Sequence, residues 1–280
     1  MIKFLVFSKD RACQLDLTLR SIAANFRLPC QMEVLWDASS RDFERGYEEL
    51  LKIYGGGAFK KWKFIRQTSF KKDVLGMLEG DYKYLTTSGD DLAFTMPIGE
   101  EEAKAFDLFD ANPQILAVKY WMGKDTIGVC ENEAEKQPDF FYSSGYDKFP
   151  VWSWAKAYGE KKVNWGYPMN LMVQFYRRED IVNYWPRLDF DCPNMIEGTM
   201  MADALVRKQF MICFEDMKVV ELAYNRVQTV APQNRRGNTS TEEFNKWWLD
   251  GWRISFDVVD DLFHSGYGRY WNRPFELIER

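Results

Sequence analysis

Residues 82–94, Tyr82-Lys83-Tyr84-Leu85-Thr86-Thr87-Ser88-Gly89-Asp90-Asp91-Leu92-Ala93-Phe94, decide how this chain is read. Aromatic and β-branched residues alternate over the first part, which suits a pleated, half-buried strand. Two adjacent carboxylates then stand at the strand end. In an α/β sheet the carboxyl ends of the strands open onto the ligand crevice, so a Gly-Asp-Asp there is where a cation and a phosphate would meet. A bare Asp-Asp is more often an acidic turn, and only its place after a fourth strand turns the reading toward a site.

Upstream, a β-turn-α pattern occurs three times. Ile2 to Phe7 is a short continuous apolar run of the kind a buried central strand needs. Ser8 to Arg11 form a polar turn, and Ala12, Leu15, Leu19, Ile22, Ala23 and Phe26 recur at helical spacing. The second unit runs from Glu33 to Trp36 through Asp37-Ala38-Ser39-Ser40 into a helix with Phe43, Tyr47, Leu50, Leu51 and Tyr54, ended by Gly55-Gly56-Gly57. Trp62 to Arg66 and a helix carrying Phe70, Val74, Met77 and Leu78 make the third. Strands alternating with helices imply parallel pairing and right-handed crossovers.

Downstream of Asp91 the pattern loosens. Glu100-Glu101-Glu102 opens a helix that Asn112-Pro113 stops, and Ile115 to Tyr120 reads as a strand. Trp121 to Tyr167 predicts long loops and short strands, Tyr167 to Tyr176 a strand, and Gly198 to Lys208 a helix with Glu197 at its entrance. Phe210 to Phe214 and Lys218 to Ala223 are short strands, and Gln233 to Asn238 is a basic loop. Ser240-Thr241-Glu242-Glu243 is a capping box, and Phe244, Trp248, Trp252, Phe256, Val259 and Phe263 follow at nearly four-residue steps, predicting one amphipathic helix. Its polar face carries Glu242, Glu243, Asp250, Asp257, Asp260 and Asp261, which anionic lipid would repel. Packing on the domain or a homo-oligomer face are the uses left for it.

Composition narrows the classes. The 280 residues are 46% hydrophobic and 28% charged, as in a soluble globular protein. Lys plus Arg number 37 against 42 Asp plus Glu, which argues against a nucleic-acid partner. Five widely spaced cysteines without a C-x-x-C pair point to reduced thiols and a cytoplasmic protein, with no zinc signature. The single histidine, His264, argues against a Ser-His-Asp triad or a multi-histidine metal site. The apolar start is too short for a signal-peptide core, and no stretch approaches the roughly 18 apolar residues of a transmembrane span.

Asp10-Arg11 and Asp37 fall at the carboxyl ends of the first two strands, on the same rim as Asp90 and Asp91. A carboxylate there accepts hydrogen bonds from a ribose or a base, and an arginine neutralises phosphate. Taken singly, each also serves as a helix cap. In order, Phe-Leu-Val-Phe-Ser-Lys-Asp-Arg (4–11), Glu-Val-Leu-Trp-Asp-Ala-Ser-Ser-Arg-Asp (33–42) and Ser-Gly-Asp-Asp (88–91) resemble the GT-A glycosyltransferases, especially the family 2-like inverting enzymes. The resemblance covers the first 95 residues or so and grows loose afterwards.

That resemblance implies an α/β fold of the GT-A (Rossmann-like) kind: a mixed, mainly parallel sheet flanked by helices. It implies a catalytic domain over 1–238, with a nucleotide-sugar-binding half at 1–95 and an acceptor-side half at 96–238, and a C-terminal helical extension over 239–280. The donor would be a nucleotide-diphosphate sugar, a UDP-sugar by default, and the acceptor a hydroxyl of a glycan. Ser8, Asp10, Arg11, Asp37 and Lys72 would hold the nucleotide, while Asp90 and Asp91, as a DxD-like pair, would hold Mn²⁺ or Mg²⁺ with the diphosphate. Met195-Ile196-Glu197-Gly198-Thr199 is the closest match to the family's acid pair at a helix start, with Gly198 in place of the second acid. Glu197 is therefore the candidate base, with Asp203 and Asp191 behind it. A helix N-terminal acid stabilised by the macrodipole is an equal reading of Glu197. Many relatives offer a late histidine to the metal, and Val220 to Gln228 contains none. Arg226, Arg235 and Arg236 are candidates to neutralise the diphosphate from a closing loop. A sugar nucleotidyltransferase would need a glycine-rich loop after the first strand, which Ser8 to Cys13 lacks, and a noncatalytic carbohydrate- or nucleotide-binding protein would need no base.

Overall fold

The computed structural model describes residues 1–130, 133–162, 164–202, 208–230, 236–262 and 266–280. Its first half follows the hydrophobic pattern. β1 (Ile2–Lys9), α1 (Ala12–Asn25), β2 (Cys30–Asp37), α2 (Arg41–Tyr54), β3 (Lys63–Arg66), α3 (Phe70–Met77) and β4 (Tyr84–Ser88) alternate along the chain. β1 lies parallel between β2 and β4, and β3 extends the sheet beyond β2. Ser40 caps α2 by accepting from the Phe43 N–H, with Asp42 and Glu44 in the first turn, where the helix dipole favours negative charge.

The chain continues through β5 (Leu92–Phe94), α4 (Glu100–Ala103), α5 (Ala105–Ala111), β6 (Ile115–Gly123), β7 (Gly128–Cys130), β8 (Glu133–Ala134), β9 (Val151–Ser153) and α6 (Trp154–Gly159). There follow β10 (Gln174–Arg177), α7 (Arg178–Val182), α8 (Pro193–Ala202), β11 (Phe210–Phe214) and β12 (Val219–Leu222). The C-terminal part holds α9 (Thr241–Leu249), β13 (Trp252–Ile254), α10 (Asp257–Asp260), β14 (Tyr267–Tyr270) and β15 (Leu277–Glu279).

Among the described residues, eight strands form the main sheet in the order β3-β2-β1-β4-β10-β6-β11-β9. β10 runs antiparallel to β4 and β6, and β9 antiparallel to β11, so the sheet is mixed and mainly parallel, as expected. Apolar residues fill both its faces: Phe4, Val6 and Val34 belong to one core, and Leu5, Phe7 and Leu35 to the other. This is the burial that parallel strands covered on two sides require. A second sheet, β5-β12-β14-β7-β8, starts immediately after Asp91.

Several expectations change here. The helix forecast from 241 to 263 stops at Leu249, because Gly251 takes a φ of +93°, in the left-handed region that ends helices. The four-residue spacing of its aromatics spans separate elements, since β13 and α10 follow, and Phe263 lies outside the described residues. Phe244 and Trp248 are buried in the same core as α1 and α2 residues, and the Trp248 indole donates to the Gly46 carbonyl at 2.8 Å. The chain itself covers this apolar face, so it is not left over for an oligomer. Nor is the segment after 238 a separate appendage, because β14 pairs with β12 on one side and β7 on the other. The helix expected from Gly198 begins instead at Pro193, a residue whose fixed φ suits a first helical position. Glu197 therefore stands beyond the first turn, and the macrodipole reading of it falls away.

Candidate active site

A cleft of about 440 Å³ opens where β1 and β4 end and the second sheet begins. Its floor is an ion cluster. Asp90 accepts from the Ser8 hydroxyl (2.8 Å) and the Lys9 N–H (3.2 Å) on Oδ2, and from Arg11 Nη1 (2.9 Å) on Oδ1. The same Nη1 donates to Asp91 Oδ2 at 2.8 Å. Arg11 also donates from Nε to Asn225 Oδ1 (2.8 Å) and from Nη2 to the Asn225 carbonyl (2.7 Å). The guanidinium thus ties the first strand end to the fourth and to a loop more than two hundred residues later. Burial disfavours its charge, but the Asp90 and Asp91 carboxylates outweigh that and raise the Arg11 pKa. Burial likewise pushes Asp90 up to about 6, with Asp91 adding to the rise and Arg11 opposing it. Tyr47 from α2 closes the floor, sharing a 2.6 Å hydrogen bond with Ser8 and accepting from the Arg11 N–H.

Gly89 has a steric reason to precede the acids. A Cβ at that position would lie 2.7 Å from Asp91 Oδ1, so a side chain there would displace the carboxylate. Asp91 is the less committed of the pair: one oxygen goes to Arg11, and the residue is more exposed than Asp90. Both oxygens of Asp90 accept hydrogen bonds within the protein, whereas Asp91 gives Arg11 one oxygen.

The second sheet brings up charges that the sequence pattern did not single out. Glu221 on β12 stands in register with Leu92 of β5 and Arg269 of β14. Arg269 Nε donates to Glu221 Oε2 at 2.6 Å, and both residues line the cleft beside Asp91. The Leu222 N–H donates to the Asp91 carbonyl at 2.7 Å, fixing that register at the acid itself. Glu221 was hidden inside a strand of apolar neighbours, and Arg269 inside the expected C-terminal helical extension. Asn225 carried no signal, because its role is to receive Arg11 and Gln14.

Glu197 reaches the cleft from α8 and accepts from the Leu171 N–H at 2.7 Å. Burial pushes its carboxyl up to about 7; Glu221 adds to the rise, while the Leu171 N–H, Arg269 and Lys119 oppose it. A carboxyl with that pKa has its folded-state proton stabilised, so its contribution to stability is complete below its unfolded pKa and is lost as pH rises through 7. Glu197→Gln is therefore expected to be about 1–3 kcal/mol more stable than wild type at pH 8, and to lose that advantage below pH 5, in urea titrations at the two pH values. An advantage independent of pH would show that the carboxyl does not titrate in this range.

The remaining expectations divide. Ser8 and Arg226 line the cleft, and Asp191 lies on its exposed rim. Asp10 does not: it takes a φ of 56°, and its Oδ1 accepts from the Ser39 N–H at 2.7 Å, so it builds the turn beside the site. Asp37 pairs with Lys9 Nζ at 3.0 Å and is likewise outside the lining. Lys72 is exposed and away from the cleft; Phe70, two positions earlier and so on the opposite side of α3, lines it with Phe7, Leu35 and Gln67. Arg236 is exposed and not part of the lining. Asp203, Arg235 and His264 lie outside the described residues. Among the described residues, no group of three His, Cys, Asp or Glu side chains is placed to hold a metal ion.

No protein-family profile matches the chain. It is 25% identical over 261 residues to the bifunctional glycosyltransferase pgtA of Dictyostelium discoideum, covering 82% of this chain and 32% of that protein. Among solved structures, S. aureus TarS aligns over 78% of this chain and 36% of its own, at 12% identity and a TM-score of 0.49. The mannosyltransferase PcManGT of Pyrobaculum calidifontis, in complex with GDP-Man and Mn²⁺, aligns over 80% and 57%, at 13% identity and 0.48. Likenesses of that size carry no weight for the site. Over most of its own length the chain is similar in sequence to a glycosyltransferase, of whose length it spans about a third.

Proposed function

We propose that this chain is a glycosyltransferase of the GT-A type, moving a sugar from a nucleotide-diphosphate donor to a hydroxyl acceptor. The observation that carries the reading is one cleft at the strand ends holding Asp91 on the donor side and Glu197, a carboxyl with a pKa near neutrality, on another element. The sequence similarity to a glycosyltransferase supports it. Phe7, Leu35, Phe70 and Gln67 give the cleft a largely apolar end suited to a flat nucleobase.

In this mechanism Glu197, ionised, accepts the proton of the acceptor hydroxyl as its oxygen attacks the anomeric carbon. The bond from that carbon to the diphosphate oxygen breaks, and its electron pair leaves with the diphosphate. A single displacement of this kind inverts the anomeric configuration. Leu171 N–H orients the base, and Arg11, which lines the cleft, holds Asp90 and Asp91 in place. Asp91 is the residue whose carboxylate would hold Mn²⁺ or Mg²⁺ beside the donor's diphosphate. Such a cation, when bound, supplies Lewis-acid stabilisation of the leaving group. Among the described residues no helix is long and apolar enough to cross a membrane, and the free Cys13, Cys30, Cys192 and Cys213 suit a reducing, cytoplasmic setting.

A thermal-shift screen of UDP-, GDP-, dTDP- and CMP-sugars with and without Mn²⁺ tests this. A donor that binds only the folded state raises the melting temperature by mass action, by roughly 2.7 kcal/mol of stability at a hundredfold excess over Kd. One nucleotide class is expected to do so. No shift with any donor would overturn the assignment, and binding without turnover across an acceptor panel would favour the noncatalytic reading.

A further inference from the structure

We propose that Asn194, one turn before Glu197 on α8, holds a second hydroxyl of the acceptor, and that the acceptor is an uncharged sugar whose reacting hydroxyl has another beside it. The inference rests on the transferase reading above, for which it names an acceptor class and a residue that recognises it. Asn194 and Glu197 both line the cleft. They stand three apart on one helix, so their Cβ atoms are about 5–6 Å apart on one face. Helical side chains lean toward the N-terminus, which brings the Glu197 carboxyl over the turn that carries Asn194.

Both groups keep hydrogen-bonding capacity for a ligand. Glu197 Oε1 accepts from the Leu171 N–H, and among the described residues neither Glu197 Oε2 nor the half-buried Asn194 amide has a protein partner. An amide offers a donor and an acceptor together, as a hydroxyl does, so the two pair in either sense. One carboxylate and one amide on a single helical face therefore meet two hydroxyls on neighbouring ring carbons. The first gives its proton to Glu197 as its oxygen bonds to the anomeric carbon and the diphosphate leaves with the electron pair. The second stays bonded to Asn194 and keeps the first in line.

The adjoining wall suits a sugar ring. Leu171 and Met172 line it, and both are fixed: the Thr87 hydroxyl donates to the Leu171 carbonyl at 2.9 Å, and the Met172 N–H donates to Asn170 Oδ1 at 3.2 Å. Val173 follows with a φ of 45°, a left-handed conformation that a β-branched residue keeps only where its surroundings hold it. Its N–H donates to the Thr87 carbonyl at 2.8 Å, and its carbonyl accepts from the Tyr120 N–H at 3.2 Å. The C–H face of a pyranose rests against such an apolar surface while its hydroxyls reach α8. The cleft lining drawn from 171–172 and 191–197 carries Asp191 and Glu197 and no lysine or arginine, which disfavours a phosphorylated acceptor on this side.

The test is steady-state kinetics in Mn²⁺-containing buffer, with the donor found by the thermal-shift screen and the methyl glycosides of glucose, galactose, mannose and N-acetylglucosamine as acceptors. The best of these is compared with its analogue lacking the hydroxyl beside the new linkage. Wild type is expected to show a KM at least about tenfold higher for the deoxy analogue than for its parent. Asn194→Ala is expected to raise the KM for the parent by a like factor with little change in kcat, and to treat the two acceptors alike, since the lost amide and the lost hydroxyl remove the same bond. Equal KM values for the parent in wild type and Asn194→Ala, or two losses that multiply, overturn the inference. So does a wild type that cleaves the donor but transfers to no methyl glycoside. Should Asn194→Ala fail to fold, wild type with equal KM values for parent and deoxy analogue overturns it as well. A wild-type protein that cleaves no nucleotide sugar overturns instead the functional reading on which the inference stands.

Discussion

An Arg11→Met protein is expected to be about 3–5 kcal/mol less stable than wild type at pH 8, and to recover part of the loss at pH 5.5. The substitution keeps most of the apolar stem but removes the charge that Asp90 Oδ1 and Asp91 Oδ2 share. Two adjacent carboxylates are then left facing each other on a floor where Asp90 is almost fully buried. Asn225 loses two hydrogen bonds at once, so the loop carrying it loses its tie to β1. The pH dependence follows from the sign of the shift. Burial already raises the Asp90 pKa to about 6 with Arg11 present, and without Arg11 it rises further. A carboxyl whose folded pKa exceeds its unfolded one destabilises the fold as it ionises, so the penalty grows between pH 5.5 and 8. Urea denaturation at both values checks this. A loss under 1 kcal/mol at pH 8, or one that is the same at both values, would mean that the cluster is solvated and that Arg11 is available to a ligand after all.

This prediction also marks where sequence reasoning stopped. The three βα units and the strand before Gly89 were legible because each is written in a local period: 3.6 for α2 with Tyr47, Leu50 and Tyr54 on its buried face, and a continuous apolar run for β1. The partnership of Arg11 was not, because an arginine at a strand end reads equally as a phosphate ligand and as a strut. Only the position of Asn225, 214 residues away, decides between them. Glu221 and Arg269 were missed for a related reason. They matter through the register of β5, β12 and β14, which are three or four residues each and separated by long stretches of chain. Lys72 was misplaced because helix phase near a first turn shifts by 100° with each residue, and Phe70 takes the inward position.

Asp91→Ala is expected to lower sugar transfer by at least about a thousandfold while costing no more than about 1–2 kcal/mol of stability. The two effects separate because the neighbouring acids do different work. Asp90 is bonded on both oxygens to Ser8, Lys9 and Arg11, whereas Asp91 gives Arg11 one oxygen and stands more open to the cleft. Removing the Asp91 side chain leaves Arg11 with Asp90 and Asn225, so no buried charge is stranded. The backbone bond from Leu222 to the Asp91 carbonyl survives, and with it the register that places Glu221. What disappears is the carboxylate proposed to hold a divalent cation beside the leaving diphosphate. The decisive comparison is UDP or GDP affinity with and without Mn²⁺ in wild type and variant, together with turnover. Loss of the Mn²⁺-dependent part of the affinity, with the Mn²⁺-free part intact, assigns the cation to Asp91. Wild-type turnover by Asp91→Ala in Mn²⁺-containing buffer would show that the second acid, like the first, serves only to hold Arg11.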